Sequence, residues 1–287
     1  MMNMWTGLIY LIVAPFIGGF LAGIDRKVTA RMQGRQGPPL LQPFYDVAKL
    51  FTKQNAVVNA SQNVFIFFYL FFNVFTGFLF FSGQDVLLVT FALTLSGIFL
   101  VLCAYTVNSP FSSMGASREL AQIMSYEPAV MLSAVGFYMV EGSFDVATIV
   151  GGTFPNVIYL PGVFLVFLYI LTIKLRKSPF DISTSHHAHQ EIVKGVTTEI
   201  SGPSLAIIEI THWYESILIW GFVYLFFGFD SVWSLPIFAV AFIVIFLMEI
   251  LIDNSSARVK WQGMFKTSWF LTATVAFLNL LVISLFM

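Results

Sequence analysis

Eight predominantly apolar windows, each near the ~20 residues a helix needs to cross a ~30 Å hydrocarbon layer, leave this chain few ways to fold. They run approximately from Trp5 to Gly23, Val64 to Phe81, Val86 to Val107, Leu120 to Val140, Val157 to Ile173, Pro203 to Gly228, Pro236 to Ile252 and Thr267 to Met287. A soluble globule of 287 residues needs more polar surface than 58% hydrophobic and 10% charged residues can supply. The expected fold class is an all-α integral membrane protein, with about eight transmembrane helices in one polytopic domain over residues 1–287. The first window has no basic segment before it and no small-residue cleavage pattern, so it reads as a retained span and not a signal peptide.

Charge fixes an expected orientation. All 14 Lys and Arg residues fall in four alternate connections, about 24–63, 108–119, 174–202 and 253–266, whereas the opposite connections carry Asp85, Glu141, Asp145 and Asp230. Basic loops stay in the cytoplasm, so the reading is a multi-pass protein of the cell (cytoplasmic) membrane with both termini outside. No nucleic-acid partner is expected. The single cysteine, Cys103, lies in an apolar run and excludes a disulfide within the chain, a Cys-ligated zinc site and a Cys-held iron–sulfur cluster.

Several acids stand where lipid or helix packing is expected. Glu127, Glu209, Glu215 and Glu249 fall in or at the edge of apolar windows, where a charge costs roughly 3 kcal/mol or more, so such groups usually face a bundle interior or an ion path. Glu209, His212 and Glu215 recur at intervals of three and form a polar stripe on one helix. Acids of this kind can also pair with neighbouring helices or snorkel to the boundary, a reading with most force for Glu249.

Two basic connections have patterns of their own. After the turn cluster GRQGPP, Leu40, Leu41, Phe44, Val47 and Phe51 alternate with Asp46, Lys49 and Lys53 at helical spacing, which predicts an amphipathic interfacial helix and a docking surface that includes Arg31, Arg35, Asp46 and Lys49. The stretch RKSPFDISTSHHAHQEIVKGVTTEISG gathers His186, His187 and His189 beside Glu191. It lacks a Cys or HExxH frame, so a titratable cluster is the preferred reading and no metal is assigned.

The segments RMQGRQGPPLLQPFYDVAKLFTK (31–53), RELAQIMSYE (118–127) and SPFDISTSHHAHQEIVKGVTTEISG (178–202) resemble the signature stretches of the complex I subunit 1 (NuoH) family. Where the quinone-reducing branch has an acidic run after PFD, this chain has SHHAHQ, similar to the membrane subunits of group 4 energy-converting [NiFe] hydrogenases, including Ech-type enzymes and formate hydrogenlyase. The resemblance implies a membrane-anchoring, ion-coupling subunit with no catalytic centre or cofactor of its own. It also implies an acidic path through Glu127, Asp181, Glu191 and Glu199, with Arg118 near its entrance. Glu209, Glu215 and Glu249 join that path from the placement of acids in the spans alone. The implied partners are hydrogenase large and small subunits with a NiFe centre, an iron–sulfur subunit and an antiporter-like membrane subunit, with ferredoxin and H2 as redox partners. On this reading the His186, His187 and His189 segment, with Arg118, couples redox events to proton or sodium movement. The alternatives are the equivalent subunit of a quinone- or phenazine-reducing complex, and a stand-alone transporter or channel.

Overall fold

The computed structural model describes residues 3–55, 59–180, 182–184 and 192–286. In order, its helices are α1 (Met4–Met32), α2 (Gln42–Thr52), α3 (Ala60–Phe81), α4 (Val86–Tyr105), α5 (Pro110–Glu141), α6 (Val146–Val150), α7 (Pro161–Lys174), α8 (Gly202–Phe227), α9 (Ser234–Ser255), α10 (Trp261–Leu271) and α11 (Phe277–Phe286). A π-helical turn, Thr272–Ala276, joins α10 to α11. Among the described residues the only β-pairing is an isolated bridge between Asp85 and Asp145.

Six helical stretches are long and apolar enough to span a membrane: α1, α3, α4, α5, α9 and the run from Trp261 to Leu285. The 26-residue α8 accounts for another window, although the polar stripe lowers its hydropathy. The 14-residue α7 reaches only about 21 Å at 1.5 Å per residue. Its N-terminus therefore starts inside the bundle, where Asn279 of α11 accepts from the free backbone N–H groups of Gly162 (2.8 Å) and Val163 (3.2 Å). The window expected to begin at Val157 thus opens with a 3-10 turn, Asn156–Ile158.

The connections sort by charge into two ends. At the basic end Arg26 meets Asp46, Lys177 meets Asp25 and Asp253, and Gln33 meets Asn254. At the other end Val86 donates to Phe144, Asp230 donates to Gly152, and Thr6 binds the carbonyl of Phe81. The helix after GRQGPP forms as its spacing requires, with Gly34 at φ 71° turning the chain out of α1. Helices also run further into the basic end than expected: α1 continues to Met32, α10 begins at Trp261, and α5 begins at Pro110, so Arg118 lies within a helix and not in a loop.

Prolines inside α1 and α5 each remove a backbone donor, and a side chain of another helix replaces it. Pro15 leaves the Leu11 carbonyl free, and the Tyr214 hydroxyl of α8 donates to it at 2.7 Å. Tyr10 in turn donates to the Tyr214 carbonyl at 3.1 Å. These bonds hold α1 on α8. The contact is close: a Cβ at Gly18 would lie 2.6 Å from the Trp213 carbonyl oxygen. α8 occupies the centre, packed against α1, α2, α3, α7 and α9, while α9 is the least embedded of the long helices.

Candidate functional site: an ion-paired hub at the end of α7

The last turn of α7 carries the densest charge in the interior. α7 ends in a Schellman turn: Arg176 N–H donates to Ile173 at 3.0 Å and Lys177 N–H to Thr172 at 3.1 Å, with Arg176 left-handed at φ 53°. A non-glycine residue in that region is unfavourable by about 1 kcal/mol or more, which the ion pairs it enables offset. Lys174, Arg176 and Lys177 then point to different helices. Lys174 binds Glu215 of α8 at 2.9 Å and lies 4.1 Å from the centre of the Tyr126 ring, an aromatic contact to α5. Arg176 binds Glu119 of α5 at 3.0 Å. Lys177 reaches Asp25 of α1 and, at 3.4 Å, Asp253 of α9.

Acids on four helices are therefore held by cations from one short segment, and each pair is largely removed from solvent. Side-chain exposure is 9% and 13% for Lys174 and Glu215, and 17% and 10% for Arg176 and Glu119. Breaking one partner of such a pair is costly, because the survivor stays charged and desolvated. Glu249 lies beside this hub, 1% exposed, with one carboxylate oxygen accepting from Thr172 of α7 at 3.1 Å and the other without a partner among the described residues.

A cavity of about 180 Å³ opens among α1, α8 and α9, lined in part by Asp25, Lys177, Glu209, His212 and Glu249. The polar stripe thus has a real face: Glu209 and His212 border this cavity, and Glu215 continues the stripe to Lys174. A second pocket of about 350 Å³ lies between α2 and α8, and Glu209 borders that one too. At its edge Arg26 binds Asp46 at 2.6 Å and Gln42 donates to Asp46 at 2.9 Å. Partial burial pushes the Asp46 carboxyl up, but the Gln42 and Arg26 hydrogen bonds and the charges of Arg26 and Lys49 outweigh it and hold it below the usual carboxylate range.

The expected site residues divide. Glu209, Glu215 and Glu249 come together around the hub and its cavity. Glu127 is half-buried on α5 beside Tyr126 and makes no ion pair with a described residue, while Glu199 is half-buried in the turn before α8. Arg118 reaches the described part of the coupling loop, its guanidinium 3.4 Å from the Ile182 carbonyl, and Gln122 donates to Phe180 at 2.7 Å. Arg31 and Arg35 are exposed on the basic end, as is Lys49. Asp181, His186, His187, His189 and Glu191 lie outside the described residues. Among the described residues no group of three or more His, Cys, Asp or Glu is placed to hold a metal. The hub itself was missed. Asp25, Glu119 and Asp253 are ordinary flanking charges in the sequence, and the one available signal was three cations in four residues at the end of an apolar window.

The family model described as NADH dehydrogenase matches residues 5–284. The chain belongs to that family. Among its relatives is an NADH-quinone oxidoreductase subunit of Solibacter usitatus, 29% identical over 68% of this chain and 56% of that protein, so the aligned part is just over half of that relative. "Hydrogenase-4 component C" of Escherichia coli is 27% identical over 86% of this chain and 85% of that one. The fold matches a chain in the structure of the membrane-bound sulfane sulfur reductase, an archaeal respiratory membrane complex, with a TM-score of 0.85 over 97% of this chain and 98% of that chain at 23% identity. The family places the chain among multi-pass membrane subunits of complex I-like or hydrogenase-type respiratory complexes.

Proposed function

We propose that this chain is the membrane-anchoring, ion-coupling subunit of a membrane-bound [NiFe] hydrogenase. It links electron transfer in a peripheral arm, between ferredoxin and H2, to the translocation of protons or sodium ions across the cytoplasmic membrane. The observation that carries the reading is the hub. One segment, Lys174 to Lys177, continuous with the loop that faces the basic end, holds acids of α1, α5 and α8 and reaches α9. A displacement of that loop by a redox partner docked above it changes which acid is neutralised, and coupling of this kind needs such a two-state element. Glu249, Glu209 and Glu215, with Glu127 and Glu199 towards either side, supply the groups along which charge moves.

The cavity supports ion coupling over quinone reduction at this place. Its volume of about 180 Å³ lies below the ~300 Å³ typical of small-molecule pockets, and among largely apolar walls Asp25, Lys177, Glu209, His212 and Glu249 supply the titratable groups that ion coupling needs. Similarity to hydrogenase-4 component C over most of both chains is compatible with a hydrogenase partner, and similarity of the same extent to NADH-quinone oxidoreductase subunits is equally compatible with the alternative. The second reading, a quinone- or phenazine-reducing complex, is favoured by the relative from a quinone oxidoreductase and by the larger pocket between α2 and α8. Gentle solubilisation of the native complex, followed by its subunit list and nickel content, separates them. Nickel with iron–sulfur subunits and H2-linked electron transfer is the expected result; a nickel-free complex that reduces a lipid quinone overturns the hydrogenase assignment.

A further inference from the structure

The pocket between α2 and α8 has a charge pattern that ion coupling does not use. Arg26, Lys49, Lys53 and Lys194 line it, against the acids Asp46 and Glu209. Arg26 is committed to Asp46 at 2.6 Å, which leaves three lysines facing one glutamate. Lys53 and Lys194 make no ion pair with a described residue. Lys49 and Lys53 come from α2 and its C-terminal cap, and Lys194 from the turn before α8, so two separate segments bring like charges to one opening. Such an arrangement gives the opening a positive potential that favours an anion among the cations.

The walls identify the kind of anion. Below the lysines the pocket is lined by Val47, Leu50, Leu205 and Trp213, and Phe44 packs on Trp213 with ring centres 5.1 Å apart. On the outside of α2, Leu41, Tyr45 and Phe51 are about half exposed, as an interfacial helix resting on acyl chains requires. A cationic rim over an apolar wall, at the boundary of a bilayer and at the end of the bundle where basic residues collect, matches an amphiphile with a negative head. A neutral quinone can accept hydrogen bonds at its carbonyls but leaves the charge of three lysines unbalanced. We propose that this pocket holds the phosphate of an anionic membrane phospholipid, with Lys53 and Lys194 as its principal cations and the acyl chains running along α2.

The test is native mass spectrometry of the intact purified complex, after delipidation, with phosphatidylglycerol or phosphatidylcholine added back. The expected result is one phosphatidylglycerol retained at concentrations where phosphatidylcholine is not, with no displacement by millimolar inorganic phosphate. Lys53→Gln combined with Lys194→Gln should weaken that retention roughly thirtyfold, while the subunit masses stay complete. If the double variant does not assemble, Lys194→Gln alone, an exposed position, should weaken it about fivefold. Equal retention of both lipids, or unchanged retention in the variant, overturns the proposal. Displacement by inorganic phosphate also overturns it, since the site would then take a free anion.

Discussion

The indole N–H of Trp269 donates to the carbonyl of Met124 at 3.3 Å, and Met124 is the residue whose helical donor Pro128 removes. A proline in a membrane helix is tolerated when a neighbouring helix satisfies the freed carbonyl, and here α10 does so. The hydroxyl of Ser268, one residue earlier, donates to the next carbonyl, that of Ser125. The turn between Met124 and Pro128 carries both the Tyr126 ring that touches Lys174 and the half-buried Glu127, so α10 braces the part of α5 that frames the hub.

Trp269→Phe keeps most of the apolar contact and removes the donor. Loss of one interhelical bond in a partly exposed position should lower stability by about 1 kcal/mol, read as a lower midpoint in thermal unfolding of the detergent-solubilised protein. Tyr214→Phe should do the same for α1, whose Leu11 carbonyl depends on that hydroxyl. An unchanged midpoint in both variants would show that water serves these carbonyls equally well.

Lys177→Met removes the cation shared by Asp25 and Asp253. Both acids are about three-quarters covered, at 25% and 22% exposure, so the loss falls between that of a surface pair and a buried one, roughly 2 kcal/mol. Its location should be specific. α9 is sparsely packed elsewhere and is held at its basic end by Asp253 and by Asn254, which contacts Thr29 and Gln33 of α1 and its connection. Faster hydrogen exchange in α9 than in α4 is the expected readout, and equal change in both helices would contradict a local clasp.

The Asp46 carboxyl titrates below its ordinary range, so its contribution to holding α2 on α1 is complete above about pH 4 and disappears as the pH falls through the lower folded value. The pair is 45% and 43% exposed, which keeps the effect small and sensitive to salt. Stability curves of the wild type and Asp46→Asn should therefore differ at neutral pH and converge in acid. A constant difference across that range would mean that Asp46 acts through shape and not charge.

Orientation is open to a direct chemical check. Cysteines at Gln36, on the basic end, and Thr153, on the opposite end, are both exposed, and the native Cys103 is fully buried and stays silent. Positive-inside charge predicts labelling of position 36 only from the cytoplasm and of position 153 only from outside. Labelling of both from one face would invalidate the alternation of loops.

The helices were legible because each apolar window satisfies a bilayer's demand for length, and the amphipathic α2 because its alternation survives between a turn cluster and a polar break. The N-terminal extension of α5 was not. Ser112, Gly115, Ala116 and Glu119 are small or polar, yet they are buried, Ser112 donating to the Ala104 carbonyl, Gly115 lying against Gly195 and Val196, and Glu119 paired with Arg176. The acid stripe of α8 could be read from a period of three, whereas Glu119 and Asp25 acquire their roles from cations more than fifty residues away in the chain. Long-range pairing leaves no periodic trace.

Ion coupling through the hub is tested most directly at Glu249. Gln at this position preserves the shape and the acceptor for Thr172 but cannot lose or gain the proton. The measurement is the number of ions translocated per electron by the fully assembled Glu249→Gln complex in sealed membrane vesicles, beside electron transfer from its peripheral arm to an artificial carrier. The expected result is a collapse of translocation with carrier-linked electron transfer preserved. Wild-type translocation per electron in that assembled variant would contradict a relay through Glu249 and the cavity beside it.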